Sequence, residues 1–200
     1  GSGIIAEFKS QSPSKGMIND RANIETVAPG YLNAGASALS VLTDEQFFGG
    51  SLKNLRMAAQ LTDIPILRKD FILDEYQILE AKAYGADAIL LIASMLTTEQ
   101  IRHLSAFASS LNLEILFEIF TKEEMNKISP DIQLVGVNNR NLKNFQVDDT
   151  HSIDLVKAIP DNYVRIAESG IQSPKQALRF FETGFDGLLI GEHFMKQKNP

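Results

Sequence analysis

Five short apolar runs in this chain end in charged or amide side chains. Glu7 and Lys9 close the run 4–6, Lys69 and Asp70 close 64–67, and Glu118 closes 113–117. Asn138, Asn139 and Arg140 close 134–137, and Glu168 and Ser169 close 164–167. Ionised groups go inside a protein only when paired. The same placement in run after run therefore predicts strand ends that converge on one polar site. Burial lowers a lysine pKa and raises that of a glutamate, while neighbouring opposite charges do the reverse. A lysine as proton donor beside a glutamate as base is the chemistry such a cluster can run. The plainer alternative is a closed salt-bridge network that ties the strand ends together.

Elements of a definite kind must carry these residues. Asn33-Ala34-Gly35-Ala36-Ser37-Ala38-Leu39 resembles Ala83-Tyr84-Gly85-Ala86-Asp87-Ala88-Ile89, and Thr183-Gly184-Phe185-Asp186-Gly187-Leu188 is a third copy. Each has a glycine able to cap a helix in the left-handed conformation, a small or acidic turn residue, then a buried strand. That is a helix-to-strand junction, repeated. Strands are expected at 4–8, 38–42, 65–67, 88–93, 114–117, 134–138, 163–167 and 187–190. Ser51, Asp74 and Ser173-Pro174 stand at helix starts, and 75–83 and 100–107 are amphipathic at helical period. Pro29-Gly30 interrupts 26–33 and predicts a kink or a late helix start. The pattern is an α/β chain folded as one (β/α)8 barrel domain over residues 1–200.

Both ends qualify that picture. Gly1-Ser2-Gly3 lacks a Met and reads as an added remnant, with the natural N-terminus upstream. Only Glu192 to Pro200 follow the last strand, too few for a closing helix. A poorly covered last groove is expected, and with it a marginal or self-associating chain, a monomer or weak homodimer.

With 200 residues and 44% hydrophobic content, one substantial core can form. A net charge of -6 leaves no basic stripe for nucleic acid. The longest wholly apolar stretch, 88–93, is far too short to cross a bilayer. No signal peptide is visible, and zero cysteines exclude disulfides and a thiol nucleophile, which fits a cytoplasmic setting. His103, His151 and His193 show no paired spacing, so no metal site is expected. Glycine-rich nucleotide loops are also missing, so no cofactor is expected.

The active face of such a barrel lies at the C-terminal strand ends. Ser169-Gly170 after the seventh strand and Gly191-Glu192 after the eighth are glycine turns whose backbone N–H groups could cradle a phosphate. Phe8, Phe47, Phe48 and Phe71 could wall an aromatic pocket.

The segments around these residues resemble the indole-3-glycerol phosphate synthase family. The resemblance is carried by residues 5–16, with Ser12-Pro13-Ser14-Lys15-Gly16, then by Leu42-Thr43-Asp44 with Phe47-Phe48 and Gly50, and by Arg68-Lys69-Asp70-Phe71. It continues through Asn138-Asn139-Arg140-Asn141-Leu142, Glu168-Ser169-Gly170 and Ile190-Gly191. It implies a ribulose-phosphate-binding barrel that acts without a cofactor on 1-(2-carboxyphenylamino)-1-deoxyribulose 5-phosphate. Such a carboxy-lyase closes the indole ring with loss of carbon dioxide and water, in tryptophan biosynthesis. By resemblance Lys69 is the general acid of ring closure. Glu118 is the acid–base group of dehydration, Lys9 assists and holds anions, and Glu7 orients Lys9. Asn138, Glu168 and Ser169 position the sugar. Arg140 pairs with Glu168 or the substrate carboxylate, and Ser12, Phe48, Phe71, Gly170, Gly191 and the backbone of Glu192 help bind the substrate.

Departures from the family pattern are the missing N-terminal segment, the shortened last helix and Glu192, where many relatives have Ser; a carboxylate there is expected to point outward. Phe120 also stands where His is common, and Ser10 where a basic residue is. Phosphoribosylanthranilate isomerase, a sister barrel, would want a cysteine that is lacking. A shortened or engineered barrel that folds without catalysing is the alternative reading.

Overall fold

The structure is a computed structural model and describes residues 1–140 and 147–200. Asn141 and Leu142 of the motif above lie outside the described residues. Eight parallel strands close a barrel: β1 (Ile4–Phe8), β4 (Ala38–Leu42), β5 (Ile66–Lys69), β6 (Ala88–Ile92), β7 (Glu114–Ile119), β8 (Leu134–Asn138), β9 (Val164–Glu168) and β10 (Gly187–Ile190). β1 pairs with both β4 and β10, which completes the ring. Between the strands run α1 (Ile24–Asn33), α2 (Glu45–Phe48), α3 (Leu52–Leu61), α4 (Glu75–Ala83), α5 (Thr98–Ser110), α6 (Asp149–Val156), α7 (Pro174–Glu182) and the single turn α8 (Glu192–Met195). A 3₁₀ helix (Glu123–Lys127) follows β7. The short antiparallel pair β2 (Gln11–Ser12) and β3 (Gly16–Met17), after β1, has no counterpart in the sequence expectations.

Strand boundaries shift in one informative way. β5, β7 and β9 each reach past the expected end to take in Lys69, Glu118 and Glu168. The charges therefore sit on the ladder itself, held by strand pairing. Ser51, Asp74 and Ser173 cap α3, α4 and α7 as anticipated.

The region around Pro29 departs from expectation. α1 starts early, with Asn23 accepting from Glu25 N at 2.9 Å, and continues through the proline. A proline removes one helical hydrogen bond; burial of Ile24, Val27, Ala28 and Tyr31 against the core offsets that loss.

The repeated junction has a physical reason. Gly35, Gly85 and Gly184 all take positive φ, as the left-handed turn requires. The turn residue then reaches the start of the preceding strand: Ser37 Oγ accepts from Gly3 N at 2.9 Å, Asp87 Oδ2 from Ile66 N at 2.9 Å, and Asp186 Oδ2 from Arg165 N at 2.9 Å. One device, used three times, satisfies strand-start N–H groups that the ladder leaves free.

Two apolar layers result. Phe117, Phe180, Ile89, Leu91 and their neighbours fill the space between sheet and helices. A smaller cluster of Leu67, Leu90, Ile92, Leu116, Ile166 and Leu189 plugs the barrel interior. Strand side chains alternate between faces. The residues two positions after Leu67, Leu116 and Ile166 are Lys69, Glu118 and Glu168, so the charged layer lies directly above the plug.

The last groove is covered, contrary to the sequence expectation. Met195 is fully buried, its carbonyl accepts from Asn19 Nδ2 at 2.9 Å, and its sulfur accepts from the Tyr31 hydroxyl at 3.4 Å. Phe194 lies 5.8 Å from the Tyr31 ring. A single helical turn closes the seam between β10 and β1 because two of its side chains are large and apolar. Met195→Ala is accordingly expected to lower the unfolding free energy by about 2–5 kcal/mol, the range for truncating a core side chain, as read by equilibrium urea denaturation.

Candidate active site

The mouth cavity above the interior plug is lined by every residue to which the family resemblance gave a catalytic or binding role, from Glu7 to Glu192. Its floor is a cluster of ionisable groups. Lys69 Nζ lies 3.4 Å from Glu168 Oε2 and 3.6 Å from Glu118 Oε2. Lys9 Nζ donates to Glu7 Oε1 at 2.6 Å, and Ser40 Oγ donates to Glu7 Oε2 at 3.3 Å. Asn138 Nδ2 donates to Glu118 Oε1 at 3.1 Å, while Asn138 Oδ1 accepts from Arg140 N at 2.9 Å. Asn138 thus fixes both a carboxylate and the turn that follows its own strand.

Protons are distributed unequally over this cluster. Burial alone would lower Lys69, but Glu168, Glu118 and Glu7 together hold it above its ordinary value. Of the two opposing effects that the sequence pattern left open, the neighbouring carboxylates prevail, and Lys69 stays an ammonium. Burial would raise Glu7, yet Lys9 and Lys69, with hydrogen bonds from Lys9 and Ser40, bring it below the usual range. Glu168 goes the other way. Burial, reinforced by Glu118 and Glu7, pushes it up to about 8 despite Lys69. Among the described residues its close polar neighbour is Lys69 Nζ, 3.4 Å from Oε2, a longer contact than the hydrogen bonds the other two carboxylates receive. It is the carboxylate least able to keep a charge.

Two glycines make room for these groups. A Cβ on Gly136 would overlap Glu168 Oε1, and one on Gly191 would come within 2.5 Å of Glu7 Oε1. Gly136 was missed in the sequence, although a lone glycine inside a strand signals close approach of another group. Ser40, the second donor to Glu7, was missed too.

The turn after β9 is built as anticipated, with one addition. Ser169 and Gly170 have φ of 69° and 74°. A left-handed serine is strained, and Asn139 Nδ2 holds it by donating to Ser169 O at 2.7 Å. Ser12 Oγ is buried at the cavity wall with no hydrogen-bond partner among the described residues. The aromatic wall is narrower than expected. Phe48 and Phe71 line the cavity with ring centroids 6.1 Å apart. Phe47 stands half exposed behind Phe71, and Phe8 faces outward into the helix layer.

Two expectations are corrected at the rim. Arg140 does not reach Glu168; its guanidinium donates to Ser14 Oγ at 3.0 Å and pairs with Glu192 Oε2 at 3.4 Å. Glu192 does not point outward either. It lines the cavity, and its other oxygen accepts from Lys196 Nζ at 2.6 Å. Among the described residues, no three His, Cys, Asp or Glu side chains are placed to hold a metal ion, and no helix is long and apolar enough to cross a membrane.

A family model described as indole-3-glycerol phosphate synthase matches residues 1–200, the whole chain. The chain belongs to the indole-3-glycerol phosphate synthase family. A curated indole-3-glycerol phosphate synthase from Bacteroides thetaiotaomicron is 53% identical over 199 residues, which is 100% of this chain and 76% of that protein. One from Koribacter versatilis is 46% identical over 201 residues, 100% of this chain and 77% of the relative. Solved structures share the barrel at low identity. An N-acetylmannosamine-6-phosphate 2-epimerase from Clostridium perfringens gives a TM-score of 0.71 at 14% identity, covering 96% of this chain and 86% of its own. A chain of the tryptophan synthase complex from Pyrococcus furiosus gives 0.71 at 14%, covering 98% and 89%. These last two speak for the fold alone. Indole-3-glycerol phosphate synthases are carboxy-lyases, so membership carries a reaction class as well as a fold.

Two outcomes follow from the cluster. Gly136→Ala should displace the Glu168 carboxylate and reduce turnover at least about 10-fold with the fold retained, by steady-state assay beside circular dichroism. Glu168 titrates near 8 in the folded protein against an ordinary 4.5. Between those values the folded state binds more protons than the unfolded one, so this group's contribution to stability falls as pH rises. Glu168→Gln should flatten that fall between pH 4.5 and about 8, as read from urea midpoints across the range.

Proposed function

We propose that this chain converts 1-(2-carboxyphenylamino)-1-deoxyribulose 5-phosphate to indole-3-glycerol phosphate within the mouth cavity. The observation that carries the reading is Lys69, a lysine kept charged at the end of β5 and facing the cavity between Glu118 and Glu168. As the ring carbon bearing the carboxylate attacks the ketone carbon, negative charge grows on the ketone oxygen, and Lys69 supplies its proton there. Carbon dioxide then leaves, returning its bonding pair to the ring. The hydroxyl made from the ketone departs as water, and the adjacent carbon gives up a proton. Glu118 handles the proton of that dehydration; Lys9 assists and holds the substrate's anionic groups.

A firmly protonated acid suits this role. Its proton is present whenever substrate arrives, and it moves only toward an oxygen that has gained charge, which is transition-state rather than ground-state assistance. Asn138 keeps Glu118 aimed, and Glu7 keeps Lys9 extended into the mouth. Phe48 and Phe71 offer an aromatic face for the anthranilate ring, and the left-handed turn Ser169-Gly170, with Gly191, is the place for the phosphate. The reading is of a single-domain catalyst, a monomer or weak homodimer. The cytoplasm, suggested by a chain without cysteine, is its setting. The seam that the non-catalytic alternative took to be open is filled by Met195 and Phe194, which supports the catalytic reading.

Purified protein supplied with the substrate should give indole-3-glycerol phosphate, followed by product fluorescence. Lys69→Ala should lower kcat by about 10²- to 10⁴-fold while substrate binding persists. Near-normal turnover in that variant would remove Lys69 from the role.

A further inference from the structure

The rim of the mouth carries a contact that a substrate site would not need. Arg140, at the C-terminal end of β8, is one of the few cations facing the cavity, and its guanidinium has an internal carboxylate on it. That carboxylate is Glu192, with a side chain only 11% exposed. It stands between two cations at unequal distances, 2.6 Å from Lys196 Nζ and 3.4 Å from Arg140 Nη2. Burial would raise its pKa, but Lys196, Arg140 and Lys15 hold it below the usual range. The short contact anchors the carboxylate at Lys196; the long one only leans on Arg140. A bidentate oxyanion can displace the leaning contact, because fork-to-fork pairing with a guanidinium is the stronger geometry.

We propose that Glu192 is an internal competitor for Arg140, setting how tightly the mouth binds an oxyanion, and that Lys196 sets how hard it competes. This rests on the reading of the cavity as the substrate site. With Lys196 engaged, Glu192 yields Arg140 to the ligand and remains paired. Without Lys196 the carboxylate keeps Arg140 as the ion-pair partner given among the described residues and holds it. The ligand class is an oxyanion group: the phosphate or the ring carboxylate of the substrate carries the same chemistry, and the test separates them.

The experiment is a double-mutant cycle on the full chain with E192Q, K196M and both together. The readouts are KM for the phosphosugar-anthranilate substrate and Kd for two probes, inorganic phosphate and anthranilate. E192Q should lower KM, and the Kd of whichever probe shares Arg140, by about 3- to 10-fold, the scale of a partly exposed ion pair. K196M should raise both by a similar factor in the parent and change neither in the E192Q background. Loss of the K196M effect in that background, a full departure from additivity, is the signature of one residue acting through the other. Tightening of phosphate alone assigns Arg140 to the phosphate, and of anthranilate alone to the ring carboxylate; either supports the proposal. Unchanged or raised KM and Kd values in E192Q overturn it. So does a K196M effect that persists undiminished in the double variant, since a general field from two rim charges would add. A parent chain that makes no product refutes the functional reading, and the two binding probes still decide the role of Glu192.

Discussion

Two ammonium groups and three carboxylates share the floor of the mouth, and a water-poor site cannot keep every carboxylate ionised beside so few cations. Lys9 goes with Glu7 at 2.6 Å; Lys69 is left to Glu118 and Glu168 at 3.6 and 3.4 Å. Hydrogen bonds decide which carboxylate gives way. Glu7 accepts from Lys9 and Ser40 and Glu118 accepts from Asn138, while Glu168 has only the longer Lys69 contact among the described residues. Glu168 is therefore the carboxyl that burial pushes up, and Lys69 is held charged without a tight pair.

The rest of the barrel can be understood as what permits this arrangement. Glu7 and Glu168 fit because the facing positions, Gly191 and Gly136, carry no side chain. The apolar plug of Leu67, Leu116 and Ile166 lies one pleat below and keeps water from entering through the far end. Strand pairing of Leu42 with Lys69 and of Asn138 with Glu168 sets the height of each group. Misplacing any strand by one residue would turn its charged side chain into the helix layer.

What could be read in the sequence follows from periodicity and local chemistry. The strand ends carry their charges on one side because alternation has a period of two, and that pattern survives in one dimension. Helix caps at Ser51, Asp74 and Ser173 and the left-handed glycines at Gly35, Gly85 and Gly184 act within a few residues, so they were legible as well. Apart from the local β2–β3 pair, the errors involve partners distant in the chain. Arg140 and Glu192 are separated by 52 positions, and Tyr31 and Met195 by 164. Nothing near Glu192 in sequence indicates that its carboxylate turns inward, because the cation drawing it inward, Arg140, arrives from another strand. The late start that Pro29-Gly30 allowed for α1 does not occur, because the buried face that holds the helix together depends on the finished core.

β5 presents the same problem twice, back to back. Lys69 faces the mouth, and Arg68, one residue earlier, faces the helix layer, where it is almost wholly buried. An unpaired cation there would be severely destabilising. Arg68 instead pairs with Asp70 at 3.0 Å and Glu80 at 2.9 Å, and it donates to Gln77 O at 2.7 Å and to Thr43 Oγ1 at 3.0 Å. Asp70 in turn accepts from Thr43 and from Phe71 N. The partners come from the end of β4, the loop after β5 and α4, so one guanidinium ties together three elements behind the reacting lysine. Phe71, which walls the cavity, is held at its own N–H by the same carboxylate that pairs with Arg68. The two cations of β5 thus divide the work: the outer one fixes the strand end and its loop, and the inner one faces two carboxylates at 3.4 and 3.6 Å, long enough contacts for it to give a proton to something else.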